Sequence, residues 1–154
     1  MEDILYRLRK RELNIEITAI IFNHEGLQHI VDRHDLPFIY LPVTKETEIE
    51  QEKQIESIIK ETETEFVILA RYMQILSKRL VDQLEGKCIN IHHPFLPSFK
   101  GTRPYKQAFD RGLKAIGATA HYVTSDLDEG PIIEQLTTQV DHNFKPEHLE
   151  RIGR

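Results

Sequence analysis

The 154-residue sequence predicts an α/β fold, with a doubly wound, mostly parallel sheet in a single domain. Short apolar runs alternate with segments of helical periodicity along the whole chain. The connections between them are short, and no internal repeat is present. This alternation indicates parallel strands, because a parallel neighbour is reached through a crossover that is usually a helix.

The first half of the chain is predicted to contain three helices and two strands. Asp3 caps an opening helix, and residues 15 to 22 form a buried strand. A second helix ends before Pro37, a short strand covers residues 38 to 41, and a strongly charged third helix follows. Each helix is predicted to carry a largely apolar stripe along one face. In order, the stripes are Ile4, Leu5 and Leu8; Leu27, Ile30, Val31 and His34; and Ile49, Ile55, Ile58 and Ile59.

The second half is predicted to continue the alternation. A strand over residues 66 to 70 precedes a helix that Ser77 caps and Gly86 ends, and the strand Cys88 to His92 comes next. That helix has an apolar stripe of Leu80, Val81 and Leu84. The remaining elements are a helix over residues 105 to 111, strands over 115 to 123 and 132 to 140 joined by a turn, and a helix beginning near Pro146.

Both ends of the chain are predicted to be incomplete. A doubly wound sheet normally begins with a strand, whereas this sequence opens on a helix. The closing helix would have only about two turns before Arg154. We therefore expect residues 1–154 to be one domain of a larger protein, truncated on both sides.

Asn90 and His92 are predicted to form a site at the carboxyl end of their strand. Alternate side chains of a strand share a face, so the amide and the imidazole point the same way. Pro94 and Pro97 end the strand at the edge where open α/β sheets bind their ligands. An amide donates hydrogen bonds to an oxyanion, and a histidine donates as well or moves a proton near neutral pH.

Asp128 is the third candidate, in an acidic turn over residues 125 to 131. The preceding strand presents His121 and Val123 on one face, so an imidazole, an apolar contact and a carboxylate could line one pocket. A carboxylate near His92 would hold its tautomer, or would position and deprotonate a water. The alternative is an acidic turn that serves only solubility and turn formation.

Metal binding and nucleophilic catalysis are less well supported. His92 and His93 are adjacent on a strand and point to opposite faces, and no HxxxH, HExxH or CxxC spacing occurs. No serine lies in a GxSxG turn, and Cys88 is expected to be a small buried hydrophobe. The intervals of His24, His29 and His34 fit a helix, where exposed or capping histidines are the simpler interpretation.

Composition excludes other classes of function. A formal net charge of −5 argues against a dedicated nucleic-acid binder. The sequence contains neither the ~20 apolar residues of a membrane helix nor the apolar core of a secretory signal. A cytoplasmic protein is therefore expected. The single cysteine cannot form an internal disulfide.

With these residues in view, the chain resembles the formyltetrahydrofolate hydrolase and formyltransferase family. Asn90 to His92 match the family's Asn-x-His, Leu96 to Gly101 match the following loop, and Leu127 to Pro131 contain its aspartate. The likeness is strongest to the deformylases, in Leu41 to Lys45, the tandem His92-His93, Pro104 to Ala108, and Gly117 to Val123.

The resemblance implies a formyltransferase-type catalytic domain that hydrolyses 10-formyltetrahydrofolate to formate and tetrahydrofolate, supplying formate for purine synthesis. It implies that Asn90, His92 and Asp128 are catalytic and that His121 supports Asp128. The implied folate pocket is bordered by Met73, Gln74, Ile75, Leu76 and Val123. Gln74 stands where the family often has arginine, which removes one polar contact to the folate.

The implied partners are the small-molecule folate and further copies of the chain in a homo-oligomer, with no metal, redox cofactor, nucleic acid or membrane. The regulatory ACT domain and first sheet strand of deformylases are absent from the sequence. Two alternatives stay open: a formyltransferase of the glycinamide ribonucleotide type, and a non-catalytic remnant that binds folate.

Overall fold

The computed structural model describes residues 2–24, 36–70, 72–92, 104–141 and 143–153. The chain forms two compact units, Met1–Glu65 and Phe66–Arg154. The predicted second helix, with Leu27, Ile30, Val31 and His34, lies outside the described residues, as do His93 and the loop from Leu96 to Gly101. In the described part of the chain, none of the helices combines the length and the apolar character that a membrane crossing needs.

The described part of the first unit contains two helices and a pair of parallel strands. Helix α1 is Glu2–Arg9, strand β1 is Ile20–Phe22, strand β2 is Phe38–Tyr40 and helix α2 is Glu48–Glu61. Strands β1 and β2 pair in parallel, as the alternation predicted.

Three local predictions for the first unit are wrong. Asp3 lies inside α1 instead of capping it, and its carboxylate accepts a hydrogen bond from Arg7 Nε at 2.9 Å. The strand predicted from Ile15 begins only at Ile20, and Ile15 is half exposed. Ile49 of α2 is also exposed, while Gln51 of the same helix is buried because its Nε2 donates to the backbone carbonyl at residue 41.

The second unit is built on a four-stranded mixed sheet in the order β3-β4-β5-β6. Its strands are β3 (Val67–Leu69), β4 (Cys88–His92), β5 (Ala115–Tyr122) and β6 (Ile132–Gln139), and its helices are α3 (Lys78–Gln83), α4 (Pro104–Asp110) and α5 (Pro146–Gly153). Strands β3 and β4 are parallel, whereas β5 pairs antiparallel with both β4 and β6. Antiparallel strands at the edge of an α/β sheet are common.

The sequence signals for helix α3 are confirmed. The Ser77 hydroxyl accepts a hydrogen bond from the backbone N–H of Leu80 at 3.3 Å and so caps the helix. After the helix, Gly86 adopts a φ of +69°, a left-handed conformation that glycine accepts without steric cost. The chain then enters β4, whose observed bounds are those predicted.

The core of the second unit lies where β5 begins and β6 ends. Ala108 of α4, Ile116 of β5, Val140 after β6 and Leu149 of α5 form one buried cluster. The side chains of Tyr105 and Phe144 pack against it. The beginning of β5 therefore packs in the apolar core, while the polar side chains described below lie toward its other end.

Candidate active site

Strand register brings the predicted polar residues onto one face of the sheet. Asn90 and His92 are two residues apart on β4 and share a face. In the antiparallel ladder between β4 and β5, Asn90 lies directly opposite His121 and His92 lies opposite Thr119. Side chains that are directly opposite in such a ladder project to the same side, so the four residues form one patch.

His121 is buried, and both of its ring nitrogens have close neighbours. Its residue exposure is 2%. The Nδ1 atom lies 3.0 Å from the carbonyl oxygen of Tyr122, and the Nε2 atom lies 3.3 Å from Nδ2 of Asn90. Because a carbonyl can only accept, Nδ1 carries the proton of this hydrogen bond.

Asp128 reaches both imidazoles. Its Oδ2 lies 3.5 Å from Nδ1 of His92, and its Oδ1 lies 3.7 Å from Nε2 of His121. The backbone of Asp128 has a φ of +59°, in the left-handed region that few side chains tolerate and that aspartate and asparagine adopt most readily after glycine. The turn thus directs one carboxylate toward two rings on neighbouring strands.

The two nitrogens of His92 have different surroundings. Its Nδ1 atom faces Asp128, while its Nε2 atom is buried and has no hydrogen-bond partner within the described residues. Only 17% of the His92 side chain and 20% of the Asp128 side chain are exposed. Of the two ring nitrogens, Nε2 is thus the one without an assigned partner in the described part of the chain.

A close backbone approach holds the acidic turn against β5. Gly130 is buried, and a Cβ atom at this position would collide with the carbonyl oxygen of Tyr122. The backbone N–H of Tyr122 donates to the carbonyl of Pro131 at 2.9 Å. A glycine is required here because the turn and the strand are in direct backbone contact.

The segment predicted to border the folate pocket follows β3. Leu69, the last residue of β3, pairs in parallel with Asn90, so this segment leaves the sheet at the same edge as the polar patch. Met73 and Ile75 are 85% and 74% exposed, and Gln74 and Leu76 are half-buried. Two largely exposed apolar side chains on the segment after β3 suit contact with a flat apolar ligand.

Val123, also predicted to border that pocket, follows β5. Its backbone N–H donates to the carbonyl of Cys88 at 2.9 Å, which places it beside the beginning of β4. Cys88 is 1% exposed, so the expectation that it is a buried residue is confirmed.

Two features of the site were not predicted from the sequence. Thr119 is completely buried and its hydroxyl accepts a hydrogen bond from Nε2 of Gln135 at 3.1 Å. The carbonyl of Tyr122 bonds to His121, and no side-chain pattern can reveal a backbone contact of this kind. Within the described residues, no three His, Cys, Asp or Glu side chains are placed to hold a metal ion.

Comparison with known proteins decides the family. The sequence model of formyl transferases matches residues 1–154. The chain belongs to the formyl transferase family. The resemblance deduced from its motifs is confirmed, and so is the predicted α/β formyltransferase fold.

Among the formyl transferases, the chain has higher sequence identity to deformylases than to a phosphoribosylglycinamide formyltransferase. The chain is 47% identical to formyltetrahydrofolate deformylase of Corynebacterium sp. (strain P-1), over all of this chain and 54% of that protein. A crystal structure of formyltetrahydrofolate deformylase from Burkholderia mallei superimposes with a TM-score of 0.93 at 49% identity, covering 99% of this chain and 54% of the other. The chain spans about half the length of these deformylases.

A phosphoribosylglycinamide formyltransferase from Anaplasma phagocytophilum is more distant. Its crystal structure superimposes with a TM-score of 0.86 at 31% identity, covering 97% of this chain and 71% of the other. The fold is therefore shared by both groups, while sequence identity favours the deformylases.

Proposed function

We propose that the site hydrolyses 10-formyltetrahydrofolate to formate and tetrahydrofolate. The observation that carries the proposal is the convergence of Asn90, His92 and Asp128 on one face of the sheet, with His92 and Asp128 3.5 Å apart. An amide donor, an imidazole and a carboxylate are the groups that adding water to a formyl carbon requires. The names of the relatives at 47% and 49% identity supply the substrate.

The proposed reaction begins when water adds to the formyl carbon. Asp128 orients that water and accepts one of its protons as the new C–O bond forms. The negative charge that develops on the formyl oxygen is stabilised by the N–H of Asn90 and by Nε2–H of protonated His92. The Nε2 atom is the nitrogen of His92 that points away from Asp128, which supports this assignment.

The second step breaks the bond between the formyl carbon and N10. The electron pair of that bond moves to N10, which takes up the proton removed from water and leaves as a secondary amine. The other product is formic acid, which ionises to formate in solution. No oxidation state changes, so the reaction requires no electron carrier.

The apolar parts of the folate would contact the segment after β3. Met73 and Ile75 are largely exposed and follow β3, whose last residue, Leu69, pairs with Asn90. Flat ligands commonly bind against such apolar walls and take their few polar contacts from nearby backbone. Gln74 and Leu76 belong to the same segment, and Val123, which lies beside the beginning of β4, is proposed to line the pocket from that side.

The test is formate release by the purified chain, measured with and without glycinamide ribonucleotide. Hydrolysis predicts equal formate release in both conditions. A formyltransferase would release little formate and would formylate the added amine. A non-catalytic remnant would do neither, although folate would still raise its melting temperature.

We further propose that catalysis uses no metal ion and no cofactor. The amide, imidazole and carboxylate described above account for each charge that the reaction develops. Incubation with EDTA, followed by dialysis and assay, is expected to leave formate release unchanged. Loss of activity that added zinc restores would contradict this proposal.

We infer in addition that the protein is a homo-oligomer. We also infer that it acts in the cytoplasm, where the formate that it releases would supply purine synthesis. Apolar side chains on β6 support the oligomer, since Ile132 is 53% exposed and Leu136 is 72% exposed. Sedimentation velocity of the purified chain tests the oligomeric state.

A further inference from the structure

We infer that His121 is a positioning residue that fixes the orientation of the Asn90 amide through a single tautomer of its ring. This inference rests on the proposed function, because it concerns how the oxyanion donor is aimed. It assigns His121 a role toward Asn90 that differs from the support of Asp128 implied by family resemblance.

The proton on Nδ1 of His121 defines the tautomer of the ring. That nitrogen lies 3.0 Å from the carbonyl oxygen of Tyr122, which can only accept. A neutral imidazole has one N–H, so the Nε2 atom of this tautomer carries a lone pair and no proton. Of the two ends of the Asn90 amide, only the NH₂ group can bond to that lone pair.

The consequence for Asn90 is a defined amide orientation. Its Nδ2 atom lies 3.3 Å from Nε2 of His121, and one of its two hydrogens is committed to this contact. The second hydrogen of the same NH₂ group remains available for the formyl oxygen. Without His121, the amide could rotate by half a turn about its last side-chain bond and present its carbonyl, which would repel an oxyanion.

The surroundings of His121 hold the ring in place. The residue is 2% exposed and lies directly opposite Asn90 in the ladder between β4 and β5. Gly130 packs against the carbonyl group of Tyr122, so the acceptor for Nδ1 is itself held by the acidic turn. The turn that carries Asp128 thereby also determines which ring nitrogen of His121 bears the proton.

The contact between His121 and Asp128 is the weaker of the two. The Oδ1 atom of Asp128 lies 3.7 Å from Nε2, beyond hydrogen-bond range, whereas Nδ2 of Asn90 lies at 3.3 Å. A hydrogen bond from Nε2 to Asp128 would also require a second proton on the ring. The geometry therefore favours action through Asn90.

Two substitutions test the roles of the two ring nitrogens of His121 separately. In His121→Gln, the amide oxygen lies as many bonds from Cβ as Nε2 does and can accept from Asn90. In His121→Asn, the amide nitrogen lies as many bonds from Cβ as Nδ1 does and can donate to Tyr122, but nothing reaches Asn90. We expect His121→Asn to lower kcat by roughly 10² with little change in KM, and His121→Gln to retain kcat within about tenfold.

A double-mutant cycle identifies the residue through which His121 acts. If it acts through Asn90, His121→Asn should lower kcat by less than about threefold in an Asn90→Ala background. In an Asp128→Asn background, His121→Asn should still lower kcat by most of the ~10²-fold expected in the parent protein. The opposite pattern, or equal losses in both backgrounds, would overturn the inference even if His121→Gln were poorly folded.

A spectroscopic measurement separates this inference from the proposed function. Imidazole ¹⁵N shifts in the unliganded full chain should identify His121 as the Nδ1–H tautomer. They should remain so in Asn90→Ala, because the Tyr122 carbonyl sets the tautomer. A protonated Nε2 would overturn the inference whatever the activity, whereas absence of formate release with the Nδ1–H tautomer present would overturn only the proposed reaction.

Discussion

The two ends of strand β5 bury side chains of opposite character. At its beginning, Ile116 packs with Ala108, Val140 and Leu149 in an apolar cluster. Toward its end, Thr119 and His121 are 0% and 2% exposed, although both are polar. One continuous strand therefore belongs to the core at one end and to the candidate site at the other.

The difference lies in how burial is compensated. Apolar burial stabilises by about 25 cal/mol per Å² and requires no specific partner. A buried polar group costs free energy unless it is hydrogen-bonded. Thr119 bonds to Gln135 and His121 bonds to the Tyr122 carbonyl, so the site end offsets its desolvation through specific contacts that also orient the side chains.

The largest expected effect comes from removing the imidazole of His92 or the carboxylate of Asp128. His92→Ala and Asp128→Asn should each lower kcat by roughly 10² to 10⁴, the range of a lost acid–base group. The double variant should be scarcely worse than either single one, because residues that act as a unit are non-additive. Steady-state formate release by the parent, the two single variants and the double variant measures these losses.

Because both side chains are mostly buried, the melting temperature of each variant is measured as well, and kcat is compared only between proteins that are folded at the assay temperature. His148→Ala, at an exposed position of α5, is the matched histidine control and should retain full activity. Losses that multiply in the double variant would rule out joint action of His92 and Asp128.

The second effect concerns the apolar end. Leu149 is 2% exposed, and Leu149→Ala should reduce the free energy of unfolding by about 2 to 5 kcal/mol. The kcat of the molecules that remain folded should be unchanged. Urea unfolding gives the first quantity and active-site-normalised kinetics gives the second, with Ile152→Ala of the same helix, 37% exposed, as the mild control.

Replacing the oxyanion donor should have the next largest effect. Asn90→Ala should lower kcat by roughly 10² to 10³, the usual result of removing one such donor. Ile91→Val, on the opposite face of the same strand, should leave kcat unchanged. Formate release at the parental rate from Asn90→Ala would mean that the amide does not contact the oxyanion.

The smallest expected effect is a pH dependence of stability that comes from Cys88, the first residue of β4. Burial raises the pKa of the Cys88 thiol from an ordinary value of 9.0 to about 11. Between these two values the unfolded chain has lost the thiol proton and the folded chain has kept it, so stability falls as pH rises. The loss should be about 2 to 3 kcal/mol.

The Cys88 effect is measured as the difference in urea stability between the parent and Cys88→Ala at several pH values. A difference that is constant from pH 8 to 11 would contradict it. At pH 8 the native thiol should also react with a disulfide reagent only as fast as the protein unfolds.

Much of the second unit could be predicted from sequence because its signals are local. Ser77 and Gly86 delimit α3 through a side-chain cap and a positive φ, both properties of individual residues. The shortened β1 could not be foreseen, since the apolar run that starts at Ile15 fits a buried strand, yet Ile15 is half exposed. The start of α1 that was predicted from Asp3 differs from the observed start by only a few residues, because capping signals define helix ends only approximately.

The candidate site was predictable in its residues and not in its contacts. Alternation along a strand places Asn90 and His92 on one face without further information. That Asn90 faces His121 depends on the register between β4 and β5, which alternation along either strand alone does not reveal. The catalytic roles themselves stay predictions until the kinetic experiments are done.

The left-handed backbone of Asp128 has a consequence for mutational tolerance. Selection for folding alone should admit glycine, asparagine and aspartate at this position and reject β-branched residues. Selection for catalysis should admit aspartate only, since glutamate would place its carboxylate elsewhere and fits the turn poorly. A saturation library sorted once for solubility and once for growth that requires formate release would therefore give two different sets of survivors, and their overlap would be a single amino acid.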